Sequence, residues 1–140
     1  MPTTIRLLAL LFMTLLLAAC SGTAATPARA PLSAQPSFNN MTVQELKTTL
    51  DNGEPMLVLD VRTPAEYAND GHIAGSLLIP VDELPSRLAE VPSDQPIACF
   101  CRSGNRSETA CGMLAQAGYS NLHNVEGGIR AWRAAGYPFE

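Results

Sequence analysis

The stretch that decides the fold is residues 97–107, which read Ile-Ala-Cys-Phe-Cys-Arg-Ser-Gly-Asn-Arg-Ser. Its first five residues form an uninterrupted apolar run, which is typical of a strand buried on both faces of a parallel sheet. A short polar loop containing Gly104 follows, and residues 107–117 are predicted to form a helix that ends at Gly118. A buried strand, a tight loop and a helix in this order indicate an α/β protein.

Strand and helix signals also alternate on both sides of this stretch. Apolar runs predict strands, whereas capping residues and apolar faces at helical spacing predict helices. The predicted strands are 56–59, 77–79, 97–101 and 122–125. The predicted helices are 42–51, 63–69, 107–117 and 128–135, and Pro85 divides 81–90 into turns. Strands separated by helices imply a parallel sheet covered on both faces, with ligands beyond the carboxyl ends of its strands.

The first 19 residues have the features of a signal peptide. Arg6 precedes the apolar run Leu7–Leu17, and the small residues Ala18 and Ala19 precede Cys20. The run is shorter than the roughly 20 apolar residues of a comfortable transmembrane helix. Residues 17–20, Leu-Ala-Ala-Cys, resemble the bacterial lipobox, in which the cysteine is lipidated and becomes the new N-terminus. An ordinary signal peptide cleaved elsewhere and an uncleaved anchor are the alternatives.

Residues 20–37 are then a lipidated Cys20 followed by a flexible tether, because Ala, Pro, Ser and Thr dominate them without any apolar period. The globular domain is predicted to be 38–140. Ser21 after the cysteine resembles the pattern that directs lipoproteins to outer membranes. We therefore expect an exported protein that is lipid-anchored to the bacterial cell envelope, with its domain facing the periplasm or the exterior.

Charge excludes one class of partner. The chain of 140 residues carries a formal charge of −4, and all 13 of its acidic residues lie from Glu45 onward. Arg6 and Arg29 precede that point, which leaves seven basic residues and a net charge of −6 for the domain. An acidic domain is a poor nucleic-acid binder. An anionic ligand would have to be attracted locally, and two of the seven basic residues lie in the six residues from Cys101 to Arg106.

The loop that begins at Cys101 is predicted to hold a reactive thiol. Backbone N–H groups of a tight loop, the N-terminus of the following helix, and the arginines Arg102 and Arg106 all favour a thiolate. Gly104 gives the loop conformations that other residues avoid. The same loop suits a small anion, which the following residues are expected to bind: Arg102, Ser103, Gly104, Asn105, Arg106 and Ser107.

Other polar residues are predicted to support this site. Asp60 and Arg62 follow a neighbouring strand and are expected to form an ion pair that braces the loop. His72 is expected to have a hydrogen-bonding role, because an ionised thiol needs no general base. Cys99 and Cys111 are predicted to be buried small side chains, with a disulfide to Cys101 left open as the alternative. The cysteine and histidine spacing does not predict a metal site.

These motifs together resemble a known family. Residues 101–106 match the active-site loop of rhodaneses, Cys-Arg-x-Gly-x-Arg, and residues 59–67 resemble an upstream signature of that family. Residues 71–76 resemble its Gly-His-Ile-x-Gly-Ala element, with Ser76 in place of the usual alanine. Gly127, Gly128 and Ile129, together with Trp132 and residues 136–138, resemble its C-terminal signature. The matches run in order over nearly the whole domain.

The resemblance implies a three-layer fold whose five-stranded parallel sheet has the order 3-2-4-5-1, flanked by helices. It also implies that Cys101 takes sulfur from a small anionic donor such as thiosulfate, forms a persulfide, and passes the sulfur to cyanide or a thiol. No cofactor or metal is implied, and we expect a monomer. A non-catalytic binding module and a thiol redox protein are the alternatives. A phosphatase or arsenate reductase is disfavoured, because such loops have five residues between cysteine and arginine rather than four.

Overall fold

The computed structural model describes residues 37–140, so the predicted signal peptide, Cys20 and most of the predicted tether lie outside the described residues. Strands and helices alternate along the described chain. The strands are β1 (Asn39–Met41), β2 (Leu57–Asp60), β3 (Leu77–Leu78), β4 (Ile97–Phe100) and β5 (Leu122–Val125). The helices are α1 (Val43–Asp51), α2 (Pro64–Asn69), α3 (Leu84–Arg87), α4 (Asn105–Gln116) and α5 (Gly128–Ala134), and a 3₁₀ turn, Leu88–Glu90, follows α3.

The five strands form one parallel sheet in the order β1-β5-β4-β2-β3. This confirms the predicted α/β fold and the order 3-2-4-5-1. In the register of β2 with β4, Asp60 lies opposite Phe100. The segments that follow these two central strands therefore leave the sheet side by side at its carboxyl edge.

Apolar side chains cover both faces of the sheet. On one face, Val58 and Phe100 pack in a cluster with Leu46 of α1 and Trp132 of α5. On the other face, Ile97, Cys99 and Cys101 pack with α4 and with the segment around α3. Successive strand residues point to opposite faces, so Cys101, two residues after Cys99, is directed toward α4.

Side-chain caps fix the starts of two helices. Thr42 and Glu45 form the predicted capping box of α1, in which each side chain bonds the backbone N–H of the other residue. Thr63 and Glu66 form a second capping box at α2, with Pro64 in its first turn. Each box satisfies backbone donors that a helix start would otherwise leave unpaired.

The structure corrects the start of one helix and adds one strand. Helix α4 begins at Asn105 rather than at Ser107, because Gly104 adopts a left-handed conformation and acts as its N-cap. Asn105, Arg106 and Ser107 therefore lie in the first turn of α4. Strand β1 was absent from the strands predicted from apolar runs. Within the described residues, no helix is long and apolar enough to span a membrane.

Candidate active site

Cys101 is the first residue after β4 and lies at the floor of the loop that leads into α4. The residue is only 1% exposed. The sulfur is therefore almost entirely enclosed by the protein.

Gly104 turns the loop inward over the sulfur. Its φ of 111° lies in a region that residues with a side chain rarely adopt. In this conformation its backbone N–H donates to Sγ of Cys101 over 3.2 Å. The loop therefore presents a hydrogen-bond donor to the sulfur immediately before the N-terminus of a 12-residue helix, where partial positive charge favours an anion.

Two opposing effects set the pKa of Cys101. Burial raises it, because a thiolate loses hydration inside the protein. Hydrogen bonds from the Ser107 side chain and from backbone N–H groups of Ser107, Gly104 and Ser103 lower it. The hydrogen bonds prevail, so the pKa of Cys101 lies below its ordinary value. A lower pKa increases the thiolate fraction near neutral pH, which is the form that acts as a nucleophile.

The side chain of Ser107 lies at the centre of a polar cluster beside this sulfur. Its Oγ lies 3.4 Å from Sγ of Cys101. The same Oγ is 2.8 Å from the carbonyl oxygen of Gly104 and 2.7 Å from Oδ1 of Asn124 in β5. Ser107 was predicted from the sequence as an anion-binding residue at the start of the helix, whereas Asn124 was not singled out.

The start of α5 contacts the backbone of the loop at Cys101. The N–H of Ile129 donates to the carbonyl oxygen of Cys101 over 2.9 Å. Gly128 lies so close that an added Cβ would be 2.1 Å from the same carbonyl oxygen. The sequence showed this glycine only as part of a family motif. Glycine is required at this position because the backbones of α5 and the loop come so close together that no side chain fits between them.

The guanidinium of Arg106 is paired with Glu66 of α2. Its two terminal nitrogens bind the two carboxylate oxygens of Glu66 at 2.7 and 2.6 Å, so the guanidinium joins α4 to α2. It is still close enough to attract a Cys101 thiolate. In this structure Arg106 is thus engaged as a brace, and direct contact between Arg106 and a substrate stays a prediction.

Asp60 and Arg62 form the expected ion pair. Both side chains are fully buried, and Nη2 of Arg62 lies 2.6 Å from Oδ2 of Asp60. Arg62 also donates to the carbonyl oxygen of Gly71 over 2.9 Å. The pair therefore ties the end of β2 to the segment after α2. Nη1 of Arg62 is also 3.5 Å from the carbonyl oxygen of Glu66, whose carboxylate binds Arg106, so the pair connects to the loop of Cys101 through these two residues.

His72 lies in this same supporting region. Its ring stacks on Tyr67 with centroids 3.8 Å apart, and its Nδ1 is 3.4 Å from the carbonyl oxygen of that residue. Its backbone exchanges two hydrogen bonds of 2.8 Å with Glu140. These contacts agree with a structural role for the imidazole.

The outer surface of the loop is formed by three exposed residues, Arg102, Ser103 and Asn105. A polar cavity of about 240 Å³ lies beside them. Its lining comprises Asn40, Ser103, Gly104, Asn105, Glu108, Asn124, Glu126 and Gly127. A second, open cavity is lined by Ser103, Gly127, Arg130 and Ala131. The first cavity beside the loop therefore contains two glutamates, Glu108 and Glu126, whereas the second contains Arg130.

Cys99 and Cys111 are fully buried in the core, as predicted, and all three cysteines of the described chain are free thiols. The hydrogen bond to Cys111, together with burial, raises the pKa of Cys99 well above its ordinary value. Of Cys99 and Cys101, only Cys101 thus has surroundings that favour a thiolate. Across residues 37–140, no group of three or more His, Cys, Asp or Glu side chains is placed to hold a metal ion.

Comparisons with known proteins agree with this architecture. Residues 42–135 match the family model described as Rhodanese-like domain. A protein named Sulfurtransferase from Allochromatium vinosum is 41% identical over 100 residues, covering 71% of this chain and 92% of the relative. Thiosulfate sulfurtransferase GlpE from Pseudomonas paraeruginosa is 31% identical over 102 residues, covering 73% of this chain and 89% of the relative.

A solved structure gives the same result. The crystal structure of a rhodanese-related protein from Thermoplasma volcanium has a TM-score of 0.66 and 37% sequence identity, covering 72% of this chain and 96% of that chain. Other curated relatives are longer, and the chain spans about a quarter of their length. The family model covers most of the described residues, and it includes the loop of Cys101. This chain therefore belongs to the rhodanese-like domain family.

Proposed function

We propose that the protein is a sulfurtransferase that moves sulfane sulfur from a small anionic donor such as thiosulfate to a thiol or cyanide. The observation that carries the proposal is the position of Cys101. Its sulfur is enclosed by a loop whose N–H groups point at it, at the N-terminus of α4. The names of the two relatives, Sulfurtransferase and Thiosulfate sulfurtransferase, support this class of reaction.

The first step forms a bond between two sulfur atoms. The Cys101 thiolate attacks the outer sulfur of thiosulfate, the S–S bond of the donor breaks, and sulfite leaves with the bonding electron pair. The products are a Cys101 persulfide anion and sulfite, so charge and atoms balance. Covalent catalysis of this kind divides one difficult transfer into two easier ones.

The second step returns the enzyme to its starting state. A thiolate or cyanide attacks the outer sulfur of the persulfide, and the electron pair of the broken S–S bond returns to Cys101. The outer sulfur lies about 2 Å beyond Sγ, the length of a disulfide bond. It therefore extends from the floor of the loop toward the opening, where an acceptor can reach it. The donors that stabilise the thiolate also serve the persulfide anion.

Intact mass tests the proposal most directly. Thiosulfate treatment of the wild-type protein should add one sulfur atom to Cys101, and cyanide should remove it with formation of thiocyanate. Cys101→Ser should abolish both changes. The matched controls Cys99→Ser and Cys111→Ser remove buried thiols and should retain most of the activity. Sulfur transfer by Cys101→Ser would overturn the mechanism, and hydrolysis of an aryl phosphate without sulfur transfer would favour a phosphatase.

The same proposal includes the location of the enzyme. Because residues 1–19 have the features of a signal peptide and Cys20 ends a lipobox-like sequence, we infer that the domain acts at the bacterial cell envelope, anchored by lipid. A tether of Ala, Pro, Ser and Thr would then separate the membrane from Phe38, where the domain begins.

A further inference from the structure

The side chain of Asn124 is hydrogen-bonded to Ser107, the same hydroxyl that lies beside the sulfur of Cys101. Asn124 is only 6% exposed, although it is a polar residue in a parallel strand. Its Oδ1 is 2.7 Å from Oγ of Ser107, and its Nδ2 donates to Oδ1 of Asn40 over 3.2 Å. Asn40 is the residue directly opposite Asn124 in the register of β1 with β5. A chain of hydrogen-bonding groups therefore runs from the surface to the sulfur.

The Ser107 hydroxyl has one proton, and the acceptor of that proton determines whether Ser107 donates a hydrogen bond to the sulfur. Three acceptors surround that Oγ: the Gly104 carbonyl at 2.8 Å, Asn124 Oδ1 at 2.7 Å and Cys101 Sγ at 3.4 Å. A hydroxyl donates one hydrogen bond and accepts up to two. While Asn124 presents its carbonyl oxygen, the Ser107 proton goes to an oxygen, and the sulfur faces an oxygen lone pair. A thiol can donate to that lone pair, whereas a thiolate is repelled by it.

We propose that Asn124 is a positioning residue that directs the Ser107 hydroxyl, and that its amide turns over when Cys101 changes from thiol to thiolate. In the thiol state, Cys101 donates to Ser107 and Ser107 donates to Oδ1 of Asn124. In the thiolate state, Nδ2 of Asn124 donates to Ser107, and Ser107 donates to the sulfur. In each state, every polar side-chain group between Asn40 and Cys101 has a hydrogen-bond partner. Only protons and the two side-chain amides have to move between the states.

The surroundings of Asn124 allow the amide to turn. After the turn, Oδ1 of Asn124 faces Asn40, which must then present its own Nδ2. Asn40 is exposed and lines the polar cavity of about 240 Å³ beside the loop, so its side chain has space to turn as well. Val125 and Leu122 hold the rest of β5 in the core, and the backbone stays fixed.

Other charged groups also act on Cys101. Arg106 of α4 and Cys99 of β4 interact with it electrostatically, and the buried pair of Asp60 and Arg62 lies at the end of the neighbouring β2. Glu108 and Glu126 line the polar cavity together with Asn124 and Asn40, and Arg102 lies on the outer surface of the loop. These groups are the same in all variants below, so their contributions cancel when the variants are compared.

The test is a double-mutant cycle on the full protein, read from the pH dependence of Cys101 alkylation by iodoacetamide. Ser107→Ala removes the donor and should raise the midpoint by about one pH unit, a tenfold loss of thiolate at a fixed pH below the midpoint. Asn124→Leu keeps the approximate shape but removes the Nδ2 donor that orients the Ser107 hydroxyl toward the sulfur. Ser107 then keeps donating to the Gly104 carbonyl, which is closer at 2.8 Å than the sulfur at 3.4 Å, so the midpoint should rise by a similar amount. The double variant should show no further rise, because both changes remove the same hydrogen bond.

Two additional measurements keep the test decisive. His123→Ala, a change at the preceding residue of β5, whose side chain lies on the opposite face, should leave the midpoint unchanged. In ¹⁵N spectra of the wild type, the side-chain NH₂ signals of Asn124 should titrate with the midpoint of Cys101, and should not do so in Ser107→Ala. If Asn124→Leu fails to fold, Asn124→Asp replaces it, alone and combined with Ser107→Ala, and the larger rise is expected where Ser107 is present.

An unchanged midpoint in a folded Asn124 variant, or midpoint shifts that add in the double variant, would overturn the inference. The inference rests on the proposed role of Cys101 as a nucleophile, but alkylation needs no sulfur donor. A failed cycle alongside normal persulfide formation therefore rejects only the role of Asn124. A successful cycle without persulfide formation rejects only the sulfurtransferase.

Discussion

At the scale of single residues, the reactivity of Cys101 depends on backbone position more than on nearby charge. Arg106 is occupied by Glu66, and the effects that lower the pKa of Cys101 are hydrogen bonds from Ser107 and from backbone N–H groups of the loop. Such donors act only while the loop keeps its shape. Residues that fix the loop backbone are therefore as important to the thiolate as residues that touch the sulfur.

Gly128→Ala tests that dependence. The new Cβ would lie 2.1 Å from the carbonyl oxygen of Cys101, and the φ of 51° is itself unfavourable for alanine. Because the obstacle is backbone rather than a flexible side chain, either α5 or the loop must move. We expect a loss of about 3 kcal/mol or more in the free energy of unfolding, measured with urea. Alkylation of Cys101 near neutral pH should also slow.

The matched control is Gly136→Ala, just after the other end of α5. Gly136 also has a positive φ, 73°, but an added Cβ would meet no atom within 4 Å. Only the conformational penalty remains, about 1 kcal/mol, and the alkylation rate should be unchanged. Equal losses of stability in the two variants would show that the close approach of α5 to Cys101 is unimportant.

At the scale of elements, Glu66 and Arg106 connect α2 to α4 across 40 residues of sequence. Their side chains are 23% and 33% exposed, and the contact has two parallel hydrogen bonds. The hydrogen bond from Arg106 is the main reason that the pKa of Glu66 falls from 4.5 to about 2, with Thr63 adding to the effect. Folding therefore favours the ionised carboxylate, and the brace is strongest when Glu66 is charged.

Glu66→Gln should lower the free energy of unfolding by about 1 kcal/mol at pH 7, after allowance for solvent screening. Glutamine still serves a capping box, so the change isolates the ion pair. Because folding lowers the pKa of Glu66, this stabilisation is complete above pH 4.5 and disappears as the pH falls toward 2. Urea unfolding of both proteins at several pH values measures the difference.

Glu90→Gln is the control, because Glu90 pairs with Arg87 on the exposed surface of one short segment. This substitution removes the same charge, but the Glu90–Arg87 pair does not join two separate helices. The free energy of unfolding at pH 7 should therefore fall less than in Glu66→Gln. A difference between wild type and Glu66→Gln that stays constant down to pH 2 would contradict the assigned pKa shift.

The same elements show what sequence can and cannot predict. Apolar runs located four strands within one or two residues at each end, because burial on both faces demands such runs. Strand β1 was missed because Asn39, Asn40 and Met41 carry no such signal, and the strand exists through its pairing with β5. The start of α4 was misplaced by two residues because the conformation of Gly104, rather than a capping side chain, begins the helix.

At the candidate site, residues close to one another in the sequence could be predicted, whereas partners from distant segments of the chain could not. The loop from Cys101 to Ser107 and the pair of Asp60 and Arg62 follow from short spacing. Glu66 binds Arg106 and Asn124 binds Ser107 only because the fold brings distant segments together. A buried asparagine in a parallel strand is the one signal that could have indicated Asn124 in advance.

At the scale of the whole molecule, the described domain is acidic, while the proposed donor is an anion. With 13 acidic residues and seven basic ones from Glu45 onward, the domain repels anions at long range. Attraction has to come from the loop itself, where N–H groups and the start of α4 act over a few ångströms. The proposed lipid anchor would add a further constraint, because an anionic lipid surface would repel an acidic domain at close range.

Cys20→Ala tests the anchoring directly. In a bacterial host that processes lipoproteins, the wild-type protein should incorporate labelled palmitate and sediment with membranes, because the lipobox-like sequence ends at Cys20. The variant should lose the label and appear in the soluble envelope fraction, while purified domain keeps its Cys101 alkylation rate. Cys99→Ala, which removes a buried thiol of the domain, should retain the label. Unchanged labelling of Cys20→Ala would overturn the lipobox interpretation, and an unlabelled wild-type protein in the soluble envelope fraction would favour an ordinary cleaved signal peptide.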